Sequence, residues 1–555
     1  MAVNIPGLVA VIVFYIIILV IGIWASKRSK KEEKKCSGER SEVTIVGGRN
    51  LNAWVGVFTL TATWVGGGYI LGTAEVVYTP TQGLFWALGP LGYAASLFLG
   101  GIYFVKPMRD KKYLTMIDPF QEKYGNVLSS LLVVTSVFSD VFWTACILSA
   151  LGGTIEVILD ISSYHSILVS AAVAIFYTLL GGLYSVVYTD VIQLFFIAIS
   201  LWICVPFLMM SPAVTNILVT ASEELYQKPW ITEVDLEHLG NWLDELFIIT
   251  LGGVCYQSFY QRVLATSSVR QGQIMCHLSG VFCFILGIPS VLIGAIAAST
   301  DWNQTSYGFP TPFDNGDARK ILPISLQHLC PKFISVIGIG AVASAVMSSV
   351  DSSLLSSASM FAHNIYKKLI RKKASGKEVL WAIRIGVLFF GAVGTCLALM
   401  AQSVYELWIL SAEMVFSLIF SQLVCVLFVP SSNGYGALAG FFVELIMRVA
   451  GGEPFLRIPP LIHYPGGTFI DGVYIQRFPF KTLTVGISLV TIVAVSHLSY
   501  FLFNRGLLSE CCDIYSVKEK IKKDVATENA DGQKISDRER HDIRVSNQQL
   551  CTQWD

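Results

Sequence analysis

Charge is scarce in this chain. Only 14% of its 555 residues are Asp, Glu, Lys or Arg, against roughly 25% in an average soluble domain. The 39 basic residues balance the 39 acidic ones, so no overall field exists to hold a nucleic acid or an acidic partner. Histidine is scarce too: eight are present, each more than thirty residues from the next, with no paired metal motif, which argues against an intramembrane enzyme. The twelve cysteines are scattered, several inside apolar runs (Cys146, Cys204, Cys283, Cys396), without zinc-site spacing or the pattern of a disulfide scaffold. They read as buried packing residues, and no cofactor is expected. The first apolar block lacks a small-residue cleavage site and is followed by positive charge, so it reads as a retained span rather than a removed signal.

Apolar sequence is what the chain has in excess. Hydrophobic residues make up 54% of it, in blocks such as Leu8 to Ile23, Ile167 to Leu180 and Leu194 to Met210. With their flanks these approach the roughly 20 residues that cross a bilayer. Hydropathy predicts an all-α polytopic membrane protein of thirteen transmembrane helices, near 7–26, 51–79, 82–105, 127–157, 162–184, 188–211, 241–265, 273–298, 331–366, 379–400, 404–429, 433–450 and 482–503. Residues 1–505 form the transmembrane domain, and 506–555, rich in Lys, Asp, Glu, Gln and Asn, read as a disordered cytoplasmic tail open to trafficking proteins.

Lys and Arg set the orientation. Eight lie between Lys27 and Arg49, four between Lys106 and Lys112, and six between Lys367 and Lys377. Thirteen alternating spans put all three clusters on one side, which the positive-inside rule makes cytoplasmic. The N-terminus is then outside and the C-terminus inside. The one glycosylation sequon, at Asn303, falls in a loop that this count places outside.

Two spans are interrupted. The second contains Trp64-Val65-Gly66-Gly67-Gly68-Tyr69, and each mid-helix glycine costs about 1 kcal/mol relative to alanine. Such a run either packs helices closely or breaks the helix where it lines a cavity, freeing carbonyls and amides for ions and substrate. The seventh carries Gly252-Gly253-Val254-Cys255-Tyr256, about five spans later, the spacing expected of an inverted repeat of five helices. In the ninth, Ser348 and Ser349 stand three and four positions after Ala345, so both hydroxyls can gather at its carbonyl. Two more carbonyls from the broken second span would complete a five-oxygen cage for a hard cation such as sodium. The alternative is serine bonding within or between helices. Asp351, Asp140, Glu75 and Glu413 lie within or at the ends of spans, where a carboxylate suggests an ion path or a paired charge. Asp351, among hydroxyls, is the best candidate to join the ion site.

The stretch from Tyr177 to Gln193, with Gly181-Gly182-Leu183-Tyr184 and Tyr188-Thr189-Asp190, resembles the signature of the sodium/solute symporter family. Gly47-Gly48-Arg49 and Gln261-Arg262-Val263 fit it too. Within the family, Thr61 to Ile70, Gly72 to Glu75, Thr115 to Phe120 and Ser299 to Thr305 resemble its choline-carrying branch. The resemblance runs from about residue 7 to 505. It implies a LeuT-like core of two inverted five-helix repeats. It also implies a sodium ion held by the backbone oxygens of Ala62, Val65 and Ala345 and the hydroxyls of Ser348 and Ser349. Chloride dependence is implied as well, as are a plasma-membrane location and a synaptic-vesicle or endosomal pool.

By the same resemblance Trp64, Tyr93, Trp143 and Tyr256 line an aromatic substrate cage. A quaternary ammonium donates no hydrogen bond and is held by ring quadrupoles, at about 0.5 to 2 kcal/mol per ring. The sequence departs from the branch at Tyr256, where a tryptophan is usual, and at Asn50, where an Asp follows Gly-Gly-Arg. The expectation is a sodium-coupled importer of choline or a related small organic cation. The alternatives are a symporter of another small solute and a non-transporting sensor or channel of the same fold.

Overall fold

The computed structural model describes residues 45–518 apart from 160, 181–182, 233–235, 402, 454–457, 471–472, 510, 512 and 516, together with scattered positions between 9 and 27. The first expected span and most of the tail lie outside the described residues.

Helix α1 (Ala53–Trp64) begins where the Asn52 side chain accepts the Trp54 N–H, satisfying one of the unpaired donors of a helix start. It ends where Val65 (φ −82°, ψ 62°) and Gly66 (φ −100°, ψ −173°) leave helical geometry. Helix α2 (Gly67–Tyr78) then continues at 49° to it. The glycines do two things here. They permit the break, and they let helices approach: a Cβ on Gly67 would lie 2.5 Å from Val346 Cγ2, and one on Gly68 2.6 Å from Cys146 Sγ. Close packing and interruption, alternatives in the sequence, coexist.

Next come α3 (Leu84–Asp110), the short α4 (Asp118–Tyr124), α5 (Asn126–Leu159), α6 (Ser163–Leu180) and α7 (Leu183–Met209). A second broken element opens the next set: α8 (Leu239–Gly252), a tight turn at Gly253–Cys255, an extended Tyr256 (φ −84°, ψ 134°) and α9 (Gln257–Ala265). Then follow α10 (Val269–Ala298), the short α11 (Ile321–Leu329), α12 (Lys332–Ile370), α13 (Gly376–Met400) and α14 (Val404–Phe428). Each set is a broken helix plus four long ones, the two inverted five-helix repeats of a LeuT-like core. Outside them lie α15 (Gly434–Ala450), an antiparallel hairpin of β1 (Thr468–Ile470) and β2 (Val473–Ile475), and α16 (Phe480–Asn504).

Among the described residues eight helices are long and apolar enough to cross a bilayer, or nine with α1 and α2 as one bent span. The predicted count of thirteen is thus not reproduced by length and composition. Of the predicted spans the first lies outside the described residues, α6 is apolar only over the short stretch Ser163–Phe176, α8 and α9 run 14 and 9 residues on either side of the turn between them, and the 17-residue α15 buries Glu444 and Arg448. The apolar surface points outward, with Phe176, Ile199 and Trp381 each about 60% exposed (60%, 58% and 61%), as lipid-facing side chains are. The polar groups point inward. Ser348, Ser349, Asp190 and Arg262 are all fully buried, where α12 packs between α5, α7 and the broken α1–α2 pair.

Candidate ion and substrate site

The end of α1 meets the middle of α12. Ser348 Oγ donates to Ala62 O at 2.9 Å and approaches Ala345 O at 3.3 Å; Ser349 Oγ reaches Thr63 O at 3.3 Å and Ala345 O at 3.4 Å. Helix end and hydroxyl spacing together explain the cluster. The last carbonyls of α1 lack helical partners, and the i+3 and i+4 serines of α12 turn back on Ala345. Val65 follows directly at the break. The next residue, Gly66, is pressed so closely on α12 that a Cβ there would overlap the Ser349 hydroxyl and lie 2.7 Å from Ser349 Cβ. The donor set is oxygen only, neutral and buried, as a hard cation requires. Four of the residues named from sequence, Ala62, Ala345, Ser348 and Ser349, are thus joined in one chain of hydrogen bonds, together with Thr63, which the sequence reading did not name.

Asp351 lies three positions after Ser348 and interacts electrostatically with the buried Arg262 of α9. Arg262 Nη2 donates to Ser352 Oγ at 2.6 Å and pairs with Asp190 Oδ2 of α7 at 3.4 Å. Thr59 of α1 donates to the same carboxylate oxygen. Ser352 Oγ in turn donates to Ser348 O at 2.9 Å and stands 3.5 Å from Thr63 Oγ1. A buried arginine–aspartate pair therefore ties α1, α7, α9 and α12 together beside the oxygen cluster. Of the other intramembrane acids, Asp140 accepts from Ser357 at 3.1 Å, Glu75 from Ser403 at 2.7 Å, and Glu413 meets Arg448 and Lys481. Asn303 is exposed, in a one-turn helix at Trp302–Gln304.

Two residues beyond Ala62, Trp64 enters a cluster of rings. Its centroid is 5.3 Å from Tyr93, 5.9 Å from Trp143 and 5.7 Å from Tyr256, and Trp143 lies 5.2 Å from Tyr256. All four rings predicted from sequence meet. The hydroxyl of Tyr256 shares a 2.8 Å hydrogen bond with Ser411 Oγ, and Ser411 donates to Ser139 O at 2.9 Å. The smaller ring is thereby fixed between α14 and α5. Sequence reading missed Trp408, whose centroid is 5.2 Å from Tyr93 and whose Nε1–H donates to the Tyr93 hydroxyl. It also missed Tyr69, stacked on Tyr93 at 5.7 Å.

The broken pairs, the buried oxygens and the two sets of five helices define a secondary transporter of the inverted-repeat class. A Sodium:solute symporter family profile matches residues 44–443, and the chain belongs to that family of multi-pass membrane transporters. Among curated relatives, the high affinity choline transporter 1 of Homo sapiens is 52% identical over 516 residues, 93% of this chain and 89% of that one. The high-affinity choline transporter 1 of Torpedo marmorata is 49% identical over 531 residues, 95% and 91% of the two chains. A solved structure of a Na+-coupled sialic acid symporter, substrate-bound and outward-open, aligns with a TM-score of 0.69 at 17% identity, over 89% of this chain and 98% of that one; it shares the fold.

Proposed function

We propose that this chain imports choline by coupling it to the entry of sodium. One observation carries the reading: Ala62, in the oxygen cluster, and Trp64, in the ring cluster, sit two residues apart on one helix end. Sodium among the carbonyls of Ala62, Val65 and Ala345 and the hydroxyls of Ser348 and Ser349 would steady that end and with it the indole. The cation's site is the cage of Trp64, Tyr93, Trp143 and Tyr256, with Trp408 behind Tyr93. A cation midway between Trp64 and Tyr93 would lie at half of 5.3 Å from each centroid, well inside contact distance, so the rings part to admit it. Choline's methylated head suits them, at about 0.5 to 2 kcal/mol per ring, and relatives at 52% and 49% identity carry choline in their names.

Entry is driven by voltage as well as by the sodium gradient. Each positive charge gains about 2.3 kcal/mol per 100 mV, so a sodium and a choline moving inward together are pulled twice. The proposed setting is the plasma membrane, N-terminus outside and tail inside, an orientation the three Lys/Arg clusters support, with Asn303 as the external glycosylation site. The test is accumulation of radiolabelled choline in transfected cells with sodium or with a large inert cation, and with chloride replaced by gluconate to measure any anion requirement. Sodium removal is expected to abolish accumulation; unchanged uptake without sodium overturns the coupling.

A further inference from the structure

A cleft on the face of the lysine clusters shares no residue with the rings. It encloses about 710 Å³ between the segment after α3, the short α4 and the end of α12, and four lysines line it: Lys112, Lys367, Lys368 and Lys372. Two acids, Asp118 and Glu122, share the lining, and both are committed. Asp118 accepts from the N–H groups of Leu114 (2.7 Å) and Thr115 (3.0 Å), from Asn364 Nδ2 (3.1 Å) and from Lys368 Nζ (2.7 Å). Burial acts to raise its pKa, but Lys368, His363 and these hydrogen bonds outweigh burial and hold it below the usual carboxylate range. Glu122 takes the Tyr113 hydroxyl at 2.6 Å. Asp118 thus fastens the walls together, and the lysines outnumber the acids by two.

The backbone at the rim is strained. Only Arg49 (φ 57°) and Lys112 (φ 54°) among the described non-glycine residues have positive φ, a conformation that costs about 1 to 3 kcal/mol and gathers at functional sites. The two are linked, Arg49 Nη2 donating to Lys112 O at 2.6 Å. Beside the cleft, Leu369 and Ile370 at the end of α12 are 43% and 65% exposed. Exposed Trp381 carries Arg384 over its ring at 5.2 Å, an arrangement suited to a membrane interface. An open cleft with excess lysine next to exposed apolar side chains fits a multiply charged phosphate attached to a membrane lipid.

We propose that this cleft binds a polyphosphorylated lipid headgroup of the cytoplasmic leaflet. The ligand bridges α12, which carries Ser348 and Ser349, to the segment joining the helix of Tyr93 to the helix of Trp143, so its binding regulates the transporter from inside. The proposal stands on the cleft and is independent of which solute is carried. It is tested on the purified full-length protein in lipid nanodiscs, by binding of a short-chain bisphosphorylated phosphatidylinositol and, separately, of the free inositol trisphosphate headgroup.

Lys112→Gln with Lys372→Gln is expected to weaken binding about thirtyfold, at about 1 kcal/mol per lysine. Lys112→Arg with Lys372→Arg retains binding, and Lys106→Gln with Lys377→Gln, on the same face but outside the cleft, changes it little. Binding of the lipid alone identifies the lipid as the source; equal binding of the free headgroup supports the site with phosphate chemistry alone sufficient. Equal weakening by the control pair, or no binding of either probe, overturns the proposal.

Discussion

At the first interruption Gly66 lies against Ser349, and at the second Gly253 lies against Ser96; a Cβ would meet the serine Cβ at 2.7 Å and 2.9 Å respectively and overlap its hydroxyl in both. The steric situations are nearly alike, yet the two serines have different work. Ser349 reaches Ala345 O and Thr63 O, so the obstacle is itself part of the oxygen cluster. Ser96, on α3, belongs neither to that cluster nor to the rings. What differs further is what each break presents: the first offers carbonyls, whereas the second offers a side chain, Tyr256, held by Ser411. An interrupted helix can thus expose its backbone or aim one residue.

Substitutions separate the two. The largest effect is expected from Gly66→Ala, which pushes α1–α2 off α12: misplacing a site by about 1 Å costs on the order of a hundredfold, read as choline uptake normalised to surface protein. Unimpaired uptake would show that the first break needs no such contact. Ser349→Ala removes one oxygen and should raise the sodium concentration for half-maximal uptake by roughly tenfold or more, with a smaller change in choline KM at saturating sodium.

Gly253→Ala is expected to lower uptake by about tenfold, through an overpacking cost of about 1 to 3 kcal/mol. Adding Ser96→Gly should restore it, because that obstacle can be removed without losing a ligand; failure of the rescue would erase the contrast with Gly66. The smallest effect belongs to Tyr256→Phe, which deletes one hydrogen bond worth about 0.5 to 1.5 kcal/mol. Choline KM should rise about threefold while sodium activation stays in place.

Legibility in the sequence followed the same division. The first break and the serine pair at Ala345 were readable because three glycines in a row and serines at i+3 and i+4 are local signals, whereas the carbonyls of Ala62 and Val65 and the four cage rings came from likeness to the family. Trp408 and Ser411 were not readable. No glycine or proline marks their stretch of α14, and their partners Tyr93 and Tyr256 are 315 and 155 residues away. The Arg262–Asp190 pair was hidden for the same reason: its members fall in segments read only as family signature, and 72 residues separate them. Hydropathy spoke least clearly where a helix is short, broken or carries buried charge, as in α6, α8–α9 and α15, since it measures length and apolarity and sees neither partner nor bend.

Thr63 lies between Ala62 and Trp64, and α12 grips it twice, through Ser349 at its carbonyl and Ser352 at its hydroxyl. Thermodynamic linkage makes such a joint work in both directions: whatever factor sodium lends to a ligand's affinity, that ligand returns to sodium. If the proposed sodium site and ring cage favour one another, a blocker wedged between Trp64 and Tyr93 would hold sodium in the carrier as tightly as sodium holds the blocker, and its potency would rise with external sodium.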